Sequence, residues 1–537
     1  MALPWHIPLE SLPKLKKGGV KESLLKHYCS INVHENPCEE LKTGLMCDIG
    51  YSNKESSTIQ KLIAAGMTVA HLNIRELEPE ACGQIIQSIR QAVYNYSTEL
   101  QYVHPLALII DVRGPDIVSG DLKGGPHTTV EIIQNETIRL TTDATWRECG
   151  TADCLYIGYD HLTDLQVNDI VFIDSLTANK IKLIVSEVGD DSIECSVVTG
   201  GTIGPKMAVQ ISQVPREIPN LNKKESLESI SHSDISQQNF EQLEEQIKWA
   251  VSSDIDAVLL PNTQSGNDIR HIRNILSNKG NHILVFASID TVQGLDNIDD
   301  ILTEADGIYL DRSILSTDLP VEKIFIAQKI IMAKCNNLVL DGADVIALEL
   351  HYDSPLRKFA PAYDAVRMAE HCLAAAAVIC RHAERIIWKP HIYGNFELMQ
   401  SPLEEPTKAI CVGAVELALR SQAVIIICLT NSGRTARILS HVKPPCPIIA
   451  VTRTCHTSRQ LRFFKGIRTI HYFEEAKAAW DSEVENRVRA ALDYCKIKRL
   501  VEAGDAYVVV AGSRRNVGYC DSVRLLYASV RNRISVP

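Results

Sequence analysis

Short apolar runs alternate with amphipathic segments near the start of the chain. The apolar runs are Gly44–Ile49, Met67–Ile74 and Leu106–Asp111, and they are separated by the helically spaced segments Ser57–Gly66 and Glu80–Tyr94. Strand-length runs that alternate with helix-length segments are typical of βα units around a buried parallel sheet. The pattern therefore predicts an α/β fold in which polar residues at the strand ends share one face.

The pattern changes after Gly120 and changes back about a hundred residues later. In between, apolar and polar residues alternate at every second position, for example in Thr137–Thr141, Asp169–Asp174 and Ser192–Val198. Period-two alternation between turn signals predicts an inserted all-β region. After Glu217 the alternation of strand-length apolar runs with helix-length segments returns, and it continues into the last third of the chain.

Composition excludes several classes of protein. The 537 residues include 66 acidic side chains against 55 lysines and arginines, a net charge of −11, which argues against a nucleic-acid partner and against a membrane-surface role. The longest apolar runs, Leu373–Cys380 and Ala423–Leu429, are far shorter than the roughly 18 residues of a membrane span. The 16 cysteines are scattered, without zinc spacing or a secretory signal, so we expect a reduced, cytoplasmic protein.

Three motifs in the βα region resemble those of the pyruvate kinase family when they are taken in order. They are Thr43–Ile49, Ala64–Asn73 and Ile110–Gly120. The resemblance implies a (β/α)8 TIM-type barrel with an inserted β-barrel lid domain and a C-terminal α/β domain. By the resemblance, the stretch that carries the family's seventh barrel strand is absent between Asn336 and Asn337. We therefore expect a barrel that is incomplete at strand seven, either with a gap or as a distorted ring of seven strands, unless the sequence itself lacks a coding segment there.

The resemblance also divides the chain into domains. The expected divisions are an N-terminal extension (residues 1–41), a barrel domain (42–118 and 220–388), an inserted β domain (119–219) and a C-terminal α/β domain (389–537).

The family transfers a phosphoryl group from phosphoenolpyruvate to ADP, giving pyruvate and ATP, with Mg²⁺ and K⁺ as cofactors. The resemblance implies that Ser288 replaces the catalytic lysine and that Ile314 replaces a magnesium-binding aspartate. Asp290 replaces a magnesium-binding glutamate and could still bind metal if the backbone moved. Because this reaction depends on countering the charge of the moving phosphoryl group, we expect strongly impaired catalysis.

Further substrate and metal positions follow from the same motifs. His71 replaces an arginine that binds the substrate phosphate, and a histidine is only partly charged at pH 7. Asn73 and Asp111 match the family's potassium site, and Arg113 is retained as a substrate-binding residue. For Asn73 and Asp111 a structural role at the strand ends remains an alternative. Asp48 stands where the family has a threonine beside the nucleotide, and a carboxylate there repels a polyphosphate.

A second candidate site lies in the C-terminal region. A polar loop follows the apolar run Ala423–Leu429 and opens a helix, so backbone N–H groups converge at the positive end of the helix dipole. The resemblance implies that this loop binds a phosphate of a sugar bisphosphate effector, through Thr430, Ser432, Gly433, Arg434 and Thr435. Ordinary N-capping of the helix is the alternative.

Two functional hypotheses remain open. One is a pyruvate kinase of glycolysis with much reduced activity. The other is a non-catalytic pseudoenzyme that acts as the partner subunit of an active paralogue or as a sugar-phosphate-binding protein. Either is expected to be a homo- or hetero-oligomer.

Overall fold

The computed structural model describes residues 24–36, 41–50, 53–74, 79–112, 117–124, 128–159, 162–176, 181–205, 207–212, 237–337, 344–348, 362–386, 405–515 and 518–528. The predicted substrate-binding residue Arg113 lies outside these ranges.

The first part of the barrel follows the predicted βα rhythm. Its elements are α1 (Leu24–Ser30), β1 (Met46–Asp48), α2 (Ser56–Ala65), β2 (Val69–Asn73), α3 (Pro79–Leu100) and β3 (Ala107–Asp111). Gly66 ends α2 in a left-handed conformation with φ of 119°, which glycine adopts without a Cβ clash, and its N–H bonds back to the helix.

The inserted domain is all β. Its strands are β4 (Ile117–Val118), β5 (Val130–Ile132), β6 (Thr137–Thr141), β7 (Cys154–Tyr156), β8 (Ile170–Ile173), β9 (Ile181–Val188), β10 (Ser192–Thr199), β11 (Gly201–Ile203) and β12 (Ala208–Ser212). The main sheet has the order β4-β12-β8-β9-β10-β6-β7, and β5 pairs with β11 in a separate ribbon. Alternate residues of the long strands, such as Leu183 and Val185 on β9, are fully buried in a core of their own.

The barrel resumes after the insert. Its elements are α4 (Gln237–Ser252), β13 (Ala257–Leu260), α5 (Gly266–Gly280), β14 (Leu284–Ile289), α6 (Val292–Asp296), α7 (Ile298–Glu304), β15 (Gly307–Leu310), α8 (Arg312–Asp318), α9 (Val321–Asn337), β16 (Asp344–Leu348) and α10 (Ala362–Ile386).

The barrel strands in the described residues form a parallel sheet of seven strands. The order is β1-β2-β3-β13-β14-β15-β16, and β15 pairs directly with β16, with Gly307 opposite Asp344. In the residues that the structure describes, no strand lies between these two, where a complete eight-stranded barrel has one. The predicted fold class, a TIM-type barrel incomplete at strand seven with an inserted β domain and a C-terminal α/β domain, is confirmed.

The C-terminal domain is a five-stranded sheet with helices. Its elements are α11 (Pro406–Ser421), β17 (Ile425–Leu429), α12 (Arg434–His441), β18 (Ile448–Thr452), α13 (Cys455–Gln460), β19 (Ile467–His471), α14 (Trp480–Ile497), β20 (Ala506–Ala511) and β21 (Ser522–Tyr527). The strand order is β19-β18-β17-β20-β21, parallel except for β21. No helix in the described ranges is both long enough and apolar enough to cross a membrane.

The barrel interior and the C-terminal domain share one apolar core. Val69, Ile109 and Phe286, which point into the barrel, belong to the same buried cluster as residues of the C-terminal sheet and its helices. Phe286 packs edge-on against Phe463, with ring centroids 4.9 Å apart. This packing fixes the C-terminal domain against the N-terminal ends of the barrel strands, leaving the opposite ends for a site.

Candidate active site

The C-terminal ends of the barrel strands bring the predicted polar residues to one face. His71 and Asn73 end β2, Asp111 ends β3, and Ser288 lies near the end of β14. Because all these strands are parallel, their C-terminal ends open on the same side, where TIM-type barrels carry their chemistry.

Asn73 and Asp111 are direct neighbours. They are paired in the register of β2 and β3, and both are half-buried. The N–H of Ile74 donates to the carbonyl oxygen of Asp111 at 3.4 Å, which ties the two strand ends together. Adjacent amide and carboxylate oxygens suit a monovalent cation, and the same pairing also suits the structural role, so both predictions stand.

His71 forms a pair with Asp48. Nδ1 of His71 is bonded to Oδ1 of Asp48, and the imidazole lies nearly parallel to the ring of Tyr309, with centroids 6.5 Å apart. His71 is 7% exposed, whereas the side chain of Asp48 is 60% exposed. Since the carboxylate balances any charge on the imidazole, the pair supplies no net cation where the resemblance implies an arginine.

Tyr309 was not anticipated from the sequence. Tyr309 lies on β15 and pairs with Ser288 in the register of β14 and β15, so its place beside the site follows from that register.

Ser288 and Asp290 form a closed network. Oγ of Ser288 donates to Oδ1 of Asp290 at 2.5 Å, and Oδ2 of Asp290 accepts from the N–H of Asn262 at 2.7 Å. The carbonyl oxygen of Ser288 accepts from the N–H of Thr263 at 3.2 Å. Ser288 and Asp290 are each only 3% exposed. Both carboxylate oxygens are therefore bonded to protein donors, including the loop after β13.

Asp311 serves the helix that follows it. Oδ1 of Asp311 accepts from the N–H of Ile314 at 2.9 Å, and its carbonyl oxygen accepts from the N–H of Leu315 at 3.0 Å. This is the geometry of an N-cap on α8. The side chain of Ile314 itself is a hydrocarbon and offers no ligand atom.

The described side chains provide fewer magnesium ligands than the site that the resemblance implies. Mg²⁺ requires oxygen ligands, and a site built from two carboxylates is reduced here to Asp290, whose oxygens already accept hydrogen bonds. Among the described residues, no group of three or more His, Cys, Asp or Glu side chains could hold a metal ion. Metal binding by Asn73, Asp111 and Asp290 stays a prediction.

Polar side chains of the loop between β17 and α12 are bonded within the loop and to neighbouring segments. Oγ1 of Thr430 accepts from the N–H of Gly433 at 2.9 Å, and Oγ1 of Thr435 lies 3.3 Å from Sγ of Cys520. Gly433 has φ of 82°, in the left-handed region that favours glycine. The N-cap residue of α12 is Gly433, and no side chain caps the helix, so Thr430 closes the turn before it. Effector binding by this loop stays a prediction.

Arg434 is paired with a carboxylate from outside the loop. Its two Nη atoms donate to the two carboxylate oxygens of Glu405, each at 2.7 Å, while Ser432 remains exposed. A bidentate carboxylate pair uses the same donors that would bind a phosphate. Glu405 was not identified from the sequence, because it lies 29 residues before Arg434 and no local pattern connects them.

Comparison with known proteins agrees with this architecture. Residues 40–361 match the family model of the pyruvate kinase barrel domain, and residues 408–526 match that of the pyruvate kinase alpha/beta domain. The chain is 27% identical over 544 residues to pyruvate kinase PKLR of Homo sapiens, covering 95% of this chain and 89% of that protein. It is 25% identical over 525 residues to the pyruvate kinase of Leishmania mexicana, covering 94% of this chain and 99% of that protein.

The two family models match the barrel and the C-terminal domain in the order in which the structure contains them. The resemblance inferred from three short motifs is confirmed over nearly the whole length. This chain belongs to the pyruvate kinase family.

Proposed function

We propose that this protein is a pyruvate kinase family member whose capacity to transfer a phosphoryl group from phosphoenolpyruvate to ADP is strongly reduced. The observation that carries the proposal is the bond from Ser288 to Asp290. By the family resemblance these positions belong to the lysine that stabilises the moving charge and to a magnesium ligand. Here a neutral hydroxyl is turned toward a buried carboxylate.

The expected loss of rate is large. Removing one preorganised stabilising group costs about 3 to 4 kcal/mol, or roughly 10²- to 10³-fold in rate. Ser288, Ile314 and His71 each lack the charge that the resemblance assigns to their positions. Although neighbouring losses are not strictly additive, together they correspond to a loss on the order of 10⁵-fold.

Cofactor use follows from the same reasoning. K⁺ binding at Asn73 and Asp111 is part of the proposal, because their side chains are adjacent and oxygen-bearing. Mg²⁺ is the family's second cofactor, and we assign no step to it here. Cytoplasmic location and assembly into a homo- or hetero-oligomer belong to the same proposal.

The second candidate is a protein that acts by binding. Helix α9 exposes Val321, Phe325 and Ile326 by 72%, 65% and 54%, and apolar side chains in such number favour a subunit contact. The exposed Ser432, together with Arg434 once it is released from Glu405, favours a sugar-phosphate ligand. The candidate roles are a partner subunit for an active paralogue and a sugar-phosphate-binding protein.

A steady-state assay of the purified full chain separates the two candidates. Pyruvate formation is coupled to lactate dehydrogenase, in the presence of phosphoenolpyruvate, ADP, Mg²⁺ and K⁺. Slow turnover that requires all four components supports the reduced enzyme. Turnover no higher than that of the assay mixture without the protein, with copurification of an active paralogue, supports the binding role. A rate within a hundredfold of ordinary pyruvate kinases contradicts both.

A further inference from the structure

The ring of Tyr309 crosses the interior of the barrel. Tyr309 lies on β15, and its ring stacks on the imidazole of His71 on β2, with centroids 6.5 Å apart and ring planes inclined by 21°. The strands β3, β13 and β14 separate β2 from β15 in the sheet. Because the sheet of a TIM-type barrel curls around its interior, side chains of such distant strands meet inside it. The contact therefore places the phenol ring in the interior of the barrel.

The ring rests on the apolar core of the barrel. Tyr309 is half-buried and packs against the cluster that contains Val69 and Phe286. Side chains two positions apart on a strand share one face, so His71 follows Val69 on the interior face of β2. For the same reason Ser288 follows Phe286 on the interior face of β14. Because Ser288 also pairs with Tyr309 in the register of β14 and β15, these polar side chains form one layer above the core.

His71 is inaccessible to a phosphate group from solvent. Its Nδ1 is bonded to Asp48, its Nε2 is buried, and Tyr309 covers one face of the ring. His71 as a whole is 7% exposed, although the side chain of its partner Asp48 is 60% exposed. An imidazole binds a phosphate through a ring nitrogen. Since one nitrogen is bonded and the other is buried, neither is available to an anion.

Ser288 is enclosed in the same layer. It is 3% exposed, and its Oγ donates to Oδ1 of Asp290 at 2.5 Å. Adjacent strands of a sheet lie about 4.8 Å apart, so Tyr309 runs directly beside Ser288. By the resemblance, His71 and Ser288 stand at the positions of the cations that contact the phosphoryl group. Tyr309 therefore adjoins both of these positions.

We propose that Tyr309 is a specificity-determining residue, which keeps the phosphate group of phosphoenolpyruvate out of the inner end of the site. The proposal rests on the proposed function, because its ligand is the substrate of the family. The mechanism is steric, since a phenol ring is larger than a phosphate group and lies in the layer where that group would be bound. Lost charges slow the transfer from a bound substrate, whereas Tyr309 weakens binding itself.

Calorimetric titration of the purified full chain with phosphoenolpyruvate tests this role. The titration contains Mg²⁺ and K⁺ but no ADP, so that binding is measured without turnover. Tyr309→Ala removes the ring and should bind phosphoenolpyruvate about tenfold more tightly than the parent or better. Tyr309→Phe keeps the ring and should show no such gain. Tyr94→Ala is the matched control, since Tyr94 is 68% exposed on α3, and it should bind as the parent does.

Steady-state kinetics should separate binding from transfer. In Tyr309→Ala the KM for phosphoenolpyruvate should fall by about tenfold, because the ligand no longer competes with the ring. The change in kcat should be smaller, since Ser288 and Ile314 still lack the charges of the family. A substitution that only loosens the fold does not lower a KM, so the split distinguishes the steric role from a structural one.

Chemical labelling reports on the layer directly. Diethyl pyrocarbonate acylates accessible neutral imidazoles, and mass spectrometry of tryptic peptides locates each label. His71 should stay unlabelled in the parent and in Tyr309→Phe, because it is buried, and it should be labelled in Tyr309→Ala. His382, which is exposed, should be labelled equally in all of these proteins and is the internal control.

Several results would overturn the proposal. They are equal affinity of the parent and Tyr309→Ala for phosphoenolpyruvate, an equal gain in Tyr309→Phe, labelling of His71 in the parent, and protection of His71 in Tyr309→Ala. If Tyr309→Ala lacks the cooperative thermal transition of the parent, Tyr309→Leu replaces it, because leucine keeps an apolar contact with the core. Unchanged affinity in Tyr309→Leu then overturns the proposal as well. Parent turnover within about a hundredfold of ordinary pyruvate kinases would instead contradict the proposed function.

Discussion

The hydroxyl of Ser288 and the carboxylate of Asp290 are joined by a 2.5 Å hydrogen bond inside the wall of the barrel. The two residues lie two positions apart at the end of β14, and each is 3% exposed. A second bond from the N–H of Asn262 fixes the other carboxylate oxygen. The hydroxyl of Ser288 is therefore held by the carboxylate of Asp290, which is itself held by the loop after β13.

Restoring the family's charged residues should rescue little activity. The double variant Ser288→Lys, Ile314→Asp is predicted to raise pyruvate formation less than about tenfold, because its barrel still lacks a strand and positioning at the site depends on that scaffold. The coupled assay measures this. Ser288→Ala serves as control and should lose about 1 kcal/mol of stability without altering residual activity. Recovery to within about a hundredfold of an ordinary pyruvate kinase would contradict the prediction.

Arg459 should be essential for the contact between barrel and C-terminal domain. Asp256 is fully buried and accepts from Nε of Arg459 at 2.8 Å and from the N–H of Leu108 at 2.9 Å. Arg459→Met leaves that carboxylate without its cation, so we expect a loss of about 3 to 5 kcal/mol in the free energy of unfolding.

Urea denaturation of the full chain measures this loss. Arg420→Met is the matched control, since Arg420 is exposed and pairs with Glu416 within one helix, where such pairs contribute about 0.5 kcal/mol or less. Equal losses in the two variants would show that the buried pair has no special role.

Stability should depend on pH through His104. Its folded pKa, lowered to about 3 by burial and then by neighbouring cations, lies below the unfolded value of about 6.5. Between these values the unfolded chain binds the additional proton, so stability is lost as the pH falls from 6.5 toward 3. Between pH 7 and pH 5, the titration of His104 should lower the free energy of unfolding by about 1 to 2 kcal/mol.

Denaturation at several pH values, in phosphate-free buffer, tests this assignment. His104→Gln should reduce the loss in the free energy of unfolding between pH 7 and pH 5 by about 1 to 2 kcal/mol. His382→Gln, which removes an exposed histidine, should leave this loss unchanged. The quantity to compare is the slope of the free energy of unfolding against pH, because a packing defect alone shifts that free energy equally at all pH values.

Glu405 should compete with phosphate ligands for Arg434. The bidentate pair must open before Arg434 can bind a phosphate, so Glu405→Gln should tighten binding of fructose bisphosphate by up to about tenfold. Thermal shift measures this. Glu416→Gln, which removes an exposed carboxylate from α11, is the control. An unchanged shift in Glu405→Gln would mean that Arg434 takes no part in binding.

The sequence predicted the elements well where their period was strong. The barrel strands, the skipped seventh strand and the long strands β9 and β10 were all anticipated from alternation and from motif order. Helix α14 was not identified, and neither were the short strands β7 and β12. In α14 the apolar positions are interrupted by the buried charges of Glu483 and Arg487, which bond to each other at 2.7 Å and conceal the pattern.

Side-chain contacts at the site were less predictable. The positions of Ser288 and Asp290 followed from the motif, but their mutual bond depends on rotamers that the sequence does not specify. The pairing of His71 with Asp48 required the register of β1 against β2, and the contact of Arg434 with Glu405 required the packing of α11 on the next loop. Long-range polar contacts of this kind arise only from the tertiary structure.

The most direct test of the reduced activity is a single-turnover experiment with the purified chain in molar excess over phosphoenolpyruvate and ADP, in saturating Mg²⁺ and K⁺. Quenched samples are analysed for ATP, so that neither product release nor a coupling enzyme limits the signal. The account predicts a first-order rate on the order of 10⁵-fold below that of an ordinary pyruvate kinase under the same conditions. A rate within about a hundredfold of that enzyme would contradict it.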